Sequence, residues 1–288
     1  MFVYINGQVV SKEEATISAF DHGYMYGLGL FETFRVDHGH PFLLDDHFQR
    51  LQEGLATLGI KWSMKREEIV GVIQALLLAN QLESAYVRWN VAAGPNELGL
   101  YTGEYTNPTT IVYMKPLPTQ SVISKSARIL STKRNTPEGE FRLKSHHYLN
   151  NVLAKRELGD TSNDEGIFLT EAGFVAEGIV SNLFWVKEGI VFTPSVKTGI
   201  LDGIMRQFVL SLLERKNIPY QIGFFRPDHV LNADEAFITN SIQEVVSLHS
   251  LSDKLYSGEQ LIACELRRLI AFYRERLWSS SELNGGTT

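Results

Sequence analysis

The stretch EGEFRLKSHHYLNNVLAKREL, residues 138–158, decides how the chain is read. A short strand-like run, Phe141-Arg142-Leu143, leads into a single lysine, Lys144. Beyond it Leu149, Val152, Leu153 and Leu158 recur at helical spacing, and Ser145 stands where it could cap that helix. A lysine held at a strand-to-helix junction has little freedom to wander. If it is also partly desolvated or close to other cations, its pKa falls and its amine becomes a nucleophile toward an aldehyde. The ordinary alternative is a solvated surface lysine, and this segment alone does not separate the two.

Working outward, the rest of the chain alternates strands and helices. FVYINGQVV (2–10) reads as a hairpin turned at Asn6-Gly7. The stretch 17–36 has glycines at 23, 27 and 29, where backbone bends tightly or approaches something closely, and ends in a strand from Leu30 to Val36. Residues 45–60 form an amphipathic helix with Phe48, Leu51, Leu55 and Leu58 on one side and Arg50 beside that stripe. A second helix covers about 66–82. In the strand 85–94, alternation puts Tyr86, Arg88 and Asn90 on one face and Val87, Trp89 and Val91 on the other. Prolines 116 and 118 mark a boundary, giving an N-terminal α/β domain over 1–117, a linker at 118–121, and a C-terminal α/β domain over 122–288 that carries Lys144. In that second half, residues 164–195 read as short antiparallel strands with glycine turns. Residues 198–217 read as a glycine-bearing loop opening a helix, and 234–251 as strand, polar turn, strand. A last helix from about 258 to 278 has Cys264 in its apolar stripe, so a buried thiol is expected, and the tail 279–288 is expected to be disordered.

The chain has 288 residues, 44 % hydrophobic and 21 % charged, ordinary values for a globular protein with a sizeable core. A net charge of -6 recommends neither nucleic acid nor an anionic membrane as partner. One cysteine rules out an internal disulfide, and no stretch is long and apolar enough to span a bilayer, so a reducing cytoplasm is expected. No HExxH, paired-cysteine, GxSxG or GxxxxGK[ST] pattern occurs, which argues against a zinc site, a serine-hydrolase elbow and a phosphate loop; no metal is expected.

What remains suits an aromatic aldehyde bearing a phosphate. Such a group needs an amine for a Schiff base and a carboxylate to keep the ring nitrogen protonated. It also needs backbone amides at a helix start and a cation for the phosphate. Lys144 is the candidate amine. Glu177, set between apolar strand residues in VAEGIVSNLFW, is the candidate acid. Gly203-Ile204-Met205 opens a helix, Thr239-Asn240-Ser241 makes a polar turn, and Arg50 can supply charge. Each of these also has a plain structural explanation, and it is their convergence that carries weight.

The order of these motifs resembles the pyridoxal-phosphate enzymes of the family that includes branched-chain aminotransferases, D-amino-acid aminotransferases and aminodeoxychorismate lyases. The likeness runs through INGQVV, FDHGYMYGLGLFETFRV, HFQRL, KSHHYLNNVLAKREL, VAEGIVSNLFWV, TPSVKTGILDGIMR and the TNS turn. It is strongest toward the lyase branch, through NTPEGEFRLKSHHYLNN. The resemblance implies a two-domain α/β (α+β) fold with the active site at the domain interface, in a cytoplasmic homodimer. It implies that Lys144 forms the Schiff base, that Glu177 pairs with the pyridine nitrogen, and that Arg50, the backbone of Ile204 and Met205, and Asn240 and Ser241 hold the phosphate. Where the D-amino-acid aminotransferases carry an arginine and a tyrosine, this chain has Ala93 and Phe31, which argues against D-amino acids as main substrates. Arg88 matches an arginine that branched-chain enzymes point at the substrate, and His147 replaces a usual asparagine.

The implied reaction converts 4-amino-4-deoxychorismate to 4-aminobenzoate and pyruvate, a step of folate biosynthesis, with possible coupling to aminodeoxychorismate synthase. Lys144 would act as the base. The substrate carboxylates would meet Arg88 and Arg142, with Tyr26 and Thr33 as further hydrogen-bonding groups. An aminotransferase using the same Lys144 is the nearest rival.

Overall fold

A computed structural model describes residues 1–118, 122–161, 163–256 and 258–284. The chain divides into two compact units, Met1–Thr119 with Leu143–His147 and Arg274–Thr288, and Gln120–Arg142 with Tyr148–Tyr273. The linker expected at 118–121 lies outside the described residues from 119 onward. The division places the segment around Lys144, and the last described residues, with the N-terminal unit.

The first unit holds strands β1 (Phe2–Ile5), β2 (Gln8–Ser11), β3 (Gly29–Asp37), β4 (His40–Pro41), β5 (Ala85–Ala92) and β6 (Thr109–Pro116), with helices α1 (His22–Tyr26), α2 (Leu44–Thr57) and α3 (Arg66–Asn80). Among the described residues these strands form one antiparallel sheet in the order β2-β1-β6-β5-β3-β4. Asn6 and Gly7 both take positive φ (43° and 99°), as a two-residue hairpin turn requires. The expected alternation in β5 holds: Val87, Trp89 and Val91 are buried with Phe34, Phe48, Leu51 and Leu55 of β3 and α2. Arg88 and Asn90 lie on the opposite face, where Arg88 Nε donates to Asn90 Oδ1 at 3.1 Å. Trp89 stacks edge-on against Phe48 (5.0 Å between centroids), so one ridge of α2 is keyed into the sheet.

One edge of β3 pairs with β5 along its length, but β4 covers the other edge only at Val36 and Asp37. Residues 144–146 pair with its first three residues, Gly29 to Phe31. The Phe31 amide donates to the Lys144 carbonyl (2.9 Å), the His146 amide donates to the Gly29 carbonyl (3.0 Å), and Leu30 bridges Ser145. This corrects the expectation of a strand at 141–143 running straight into a Ser145-capped helix. The pairing falls at 144–146, and helix α4 (Leu149–Leu158) starts after Tyr148 with no side-chain cap. Of the expected apolar stripe of α4 only Leu158 is buried, beside Asn151 and Ala154, while Leu149, Val152 and Leu153 are exposed.

The second unit carries β7 (Ser124–Ile129), β8 (Asp164–Leu169), β9 (Val175–Gly178), β10 (Asn182–Lys187), β11 (Ile190–Pro194), β12 (Tyr220–Gly223), β13 (Glu235–Asn240), β14 (Glu244–Leu251) and β15 (Lys254–Leu255). Helices α4, α5 (Ile204–Arg215), α6 (Pro227–Leu231) and α7 (Leu261–Tyr273) complete it. Among the described residues the sheet runs β12-β11-β10-β13-β14-β7-β8-β9, with β15 on β14. The β11–β12, β14–β7 and β7–β8 pairs are parallel and the rest antiparallel. Leu183, Trp185, Ala236, Ile238, Val246 and Leu248 fill its core. Two further expectations fail here. Cys264 is exposed, because Ala263, Leu266, Leu269 and Ile270 form the buried face of α7. In the first unit, residues 280–284 of the tail form a 3-10 turn, tied down where Ser280 donates backbone and hydroxyl hydrogens to Asp46, and 285–288 lie outside the described residues. Among the described residues no helix is long and apolar enough to cross a membrane.

Candidate active site

In the first unit the site residues gather on the ring of Phe31. The Lys144 ammonium lies 4.7 Å from the ring centroid and the Arg88 guanidinium carbon 3.7 Å from it. An aromatic face attracts such cations. His146 stacks on the same ring at 6.2 Å. Burial, and then the nearby Arg88, push the His146 imidazole down to about 4, so it is neutral near pH 7. Its Nε2 is buried with no partner among the described residues. Gly29 makes room for it, since a Cβ there would meet His146 Cε1 at 2.6 Å. Thr33 pairs with Arg88 across β3 and β5 and shares its face.

Arg50 belongs to a second group in this unit. It donates from Nε and Nη2 to the two oxygens of buried Glu32, at 2.8 and 2.7 Å. His47 Nδ1 lies 2.7 Å from the same carboxylate. Burial raises the Glu32 carboxyl, but Arg50 and His47 outweigh it and hold it at about 2; burial also lowers His47. Tyr26 accepts from the Gly99 amide through its hydroxyl (3.1 Å). His147 lies 3.1 Å from the Tyr26 carbonyl and fills the space beside Gly27, where φ is +68° and a Cβ would stand 2.6 Å from the imidazole. The histidine that replaces the usual asparagine therefore braces the end of α1.

In the second unit the centre is Glu177, on β9 and 4 % exposed. Its Oε1 accepts from Arg134 Nε at 2.8 Å. Its Oε2 accepts from the Leu201 amide (3.0 Å) and Asn182 Nδ2 (3.3 Å). Arg134 is fixed in turn by the carboxamide oxygens of Asn135, Asn150 and Asn151 and lies over the Phe168 ring. Arg142 Nε is 3.9 Å from Glu177 Oε1, and its guanidinium donates to the Gly199 and Asn135 carbonyls. Burial, then Arg134, draw the Arg142 guanidinium down to about 10. Of the two arginines expected to meet substrate carboxylates, Arg142 is thus spent on loop carbonyls. Arg88 is hydrogen-bonded through Nε to Asn90, and its terminal nitrogens are open among the described residues.

Helix α5 begins with Ile204 and Met205 behind Gly203, an extended N-cap with ψ of 138°. Its first intrahelical bond runs from the Gln207 amide to the Gly203 carbonyl, so the amides before it have no partner within the helix. Asn240 spends its carboxamide oxygen on the amides of Ile242 and Gln243, shaping the β13–β14 turn that carries Ser241. The buried Thr239 hydroxyl just before that turn has no partner among the described residues. Among those residues no cluster could hold a metal ion.

This donor set fits a phosphorylated pyridine aldehyde. A buried, multiply hydrogen-bonded carboxylate suits a protonated ring nitrogen, and the leading amides of a twelve-residue helix suit a phosphate. Sequence reasoning missed Arg134 and Asn182. Arg134 lies 43 residues from its partner, with no periodic signal to connect them. Asn182 left a faint one, a lone carboxamide at the head of the apolar run LFWV.

Residues 29–251 match the family described as Amino-transferase class IV. The chain is 41 % identical to the aminodeoxychorismate lyase of Bacillus subtilis (strain 168), over 97 % of this chain and 100 % of that one. It is 34 % identical to a putative branched-chain-amino-acid aminotransferase of Methanocaldococcus jannaschii, over 91 % of each. Among solved structures, the branched-chain aminotransferase of the archaeon Thermoproteus uzoniensis with norvaline superposes with a TM-score of 0.84 at 26 % identity, covering 96 % of this chain and 97 % of that one. By sequence and by fold, the chain belongs to the class IV aminotransferase family of pyridoxal-phosphate enzymes.

Proposed function

We propose that the chain is a pyridoxal-phosphate-dependent aminodeoxychorismate lyase, which converts 4-amino-4-deoxychorismate to 4-aminobenzoate and pyruvate. The observation that carries this reading is the pair of cations over Phe31: an amine from Lys144 beside an arginine with open donors. The substrate offers the matching groups, an amine and a ring carboxylate. Full-length likeness to a lyase at 41 % supports the same choice.

When bound, the cofactor supplies an electron sink for the charge left at the amine-bearing carbon. Lys144 serves as its attachment point and then as the base that removes the proton from that carbon. Loss of that proton breaks the neighbouring C–O bond. The ether oxygen leaves with its electron pair as enolpyruvate, takes up a proton and becomes pyruvate, and the ring left behind is aromatic. Arg88 orients the substrate through a carboxylate, with Thr33 and Tyr26 as further polar contacts. Glu177 holds the proton on the ring nitrogen. The amides of Ile204 and Met205, the polar turn at Asn240 and Ser241, and Arg50, locked by Glu32, hold the phosphate.

The same reading makes the protein a cytoplasmic homodimer fed by aminodeoxychorismate synthase. Support for a second copy comes from α4, whose Leu149, Val152 and Leu153 are exposed near Phe141 in sequence, an apolar strip that a partner would cover. The 34 % likeness to an aminotransferase keeps amino transfer as the second reading. An assay coupling chorismate, glutamine and the synthase to 4-aminobenzoate formation, run beside one with amino donors and 2-oxoglutarate, decides between them. Faster amino transfer than pyruvate release would overturn the lyase assignment.

A further inference from the structure

We propose that Asn182 is a positioning residue that sets the spacing between the acid for the cofactor ring and the helix start for its phosphate. This rests on the reading above, in which Glu177 serves the ring nitrogen and α5 the phosphate. The cofactor is a small rigid molecule. Its ring nitrogen and phosphate stand at a separation that its covalent frame nearly fixes, so the two protein groups must be held at a matching separation.

Asn182 is 4 % exposed at the head of β10, where it pairs with Thr239 of β13. It is polar at the start of a strand otherwise filled by Leu183, Phe184, Trp185 and Val186, all buried. A buried carboxamide must find partners for its two N–H groups and its oxygen. Nδ2 donates to Glu177 Oε2 at 3.3 Å and to the Leu201 carbonyl at 2.8 Å. The Leu201 amide donates back to the same Glu177 oxygen at 3.0 Å. Acid, carboxamide and loop thus form a closed ring of three hydrogen bonds, and Leu201 is three residues before the first residue of α5.

The other end of the carboxamide meets α5 directly. A Cβ on Gly203 would stand 2.2 Å from Asn182 Oδ1. Gly203 has φ of -68° and ψ of 138°, which any residue adopts. Glycine at this N-cap is therefore demanded by the closeness of Asn182 and not by backbone conformation. One side chain touches the acid with its nitrogen and the helix entrance with its oxygen.

The test uses the full chain, wild type and Asn182→Ala, Asn182→Asp, Gly203→Ala and the double variant Asn182→Ala/Gly203→Ala. It measures pyridoxal-phosphate affinity and, separately, thermal midpoints without cofactor. Asn182→Asp replaces both N–H donors with a second carboxylate beside Glu177, and affinity should fall by about tenfold to a hundredfold. Gly203→Ala should also bind weakly. In the double variant, removal of the obstructing oxygen should restore part of what Gly203→Ala loses, a non-additivity expected only for groups in contact. The pH titration of the bound cofactor's visible band should shift in Asn182→Ala. Wild-type affinity and titration in both Asn182 variants would overturn the proposal, as would losses in the two single variants that simply add in the double one. If the unsubstituted chain itself fails to bind pyridoxal phosphate, the functional reading falls first and this inference with it.

Discussion

The Phe31 group and the Glu177 group solve opposite problems. Around Phe31, two cations and a neutral imidazole share one aromatic ring, and Arg88 is tethered to Asn90 through Nε alone among the described residues. Around Glu177, three donors pin both oxygens of one carboxylate, and its arginine is itself fixed by three asparagines. The first arrangement holds charge by the quadrupole of a ring and leaves N–H donors of Arg88 for a ligand. The second satisfies a buried charge almost completely and leaves it little freedom. On the proposed roles, a site that would exchange partners is built loosely, and one that would hold a single proton in place is built tightly.

Four substitutions sharpen or break that contrast. Lys144→Ala should lower pyruvate release by about 10⁴-fold. Its urea midpoint should hardly move, because the backbone carbonyl of Lys144, not its side chain, makes the pairing with β3. Arg134→Met strands the Glu177 carboxylate in a buried setting and should cost about 3–5 kcal/mol in urea unfolding. Arg88→Met, over its ring, should cost no more than about 1–2 kcal/mol in the same experiment, and equal costs would erase the distinction. Arg88→Lys keeps the charge but loses the fork geometry, so KM should rise about tenfold with kcat less affected.

The smallest effect is in pH. The His146 imidazole stands near 4 in the folded chain against 6.5 for a free one, so the unfolded chain binds the extra proton more readily. The stability this contributes is complete above pH 6.5 and is lost as pH falls from there toward 4. His146→Phe should flatten that decline by on the order of 1 kcal/mol, read as urea midpoints at about pH 7 and about pH 4.5. An unchanged pH dependence would show that the imidazole is not kept neutral by its burial and its cationic neighbour.

Much of the frame was legible because it is periodic. The alternation in 85–92, the Asn6-Gly7 turn and the stripe Phe48, Leu51, Leu55 each follow a local rule that the tertiary structure respects. Lys144 and Glu177 stood out by residue type in an apolar or junctional setting. What stayed hidden depends on partners far along the chain. Residues 144–146 find their place on β3, more than a hundred positions away, and no local signal encodes that pairing. In α4 the helical rhythm misled, because Asn151 is drawn inward by Arg134 and the Ile179 carbonyl while three apolar residues stay outside. Cys264 failed for a related reason, lying one position off the buried side of α7.

The backbone bonds at Phe31 and His146 do two jobs at once. Without residues 144–146, the first three residues of β3 would present bare amides and carbonyls, a template on which a foreign strand could grow. Lys144, the proposed attachment point, is therefore mounted on the patch that seals this end of the border. Deuterium uptake at those two amides should rise together, and any substitution that raises it should both misplace the amine and make the protein prone to fibrous association.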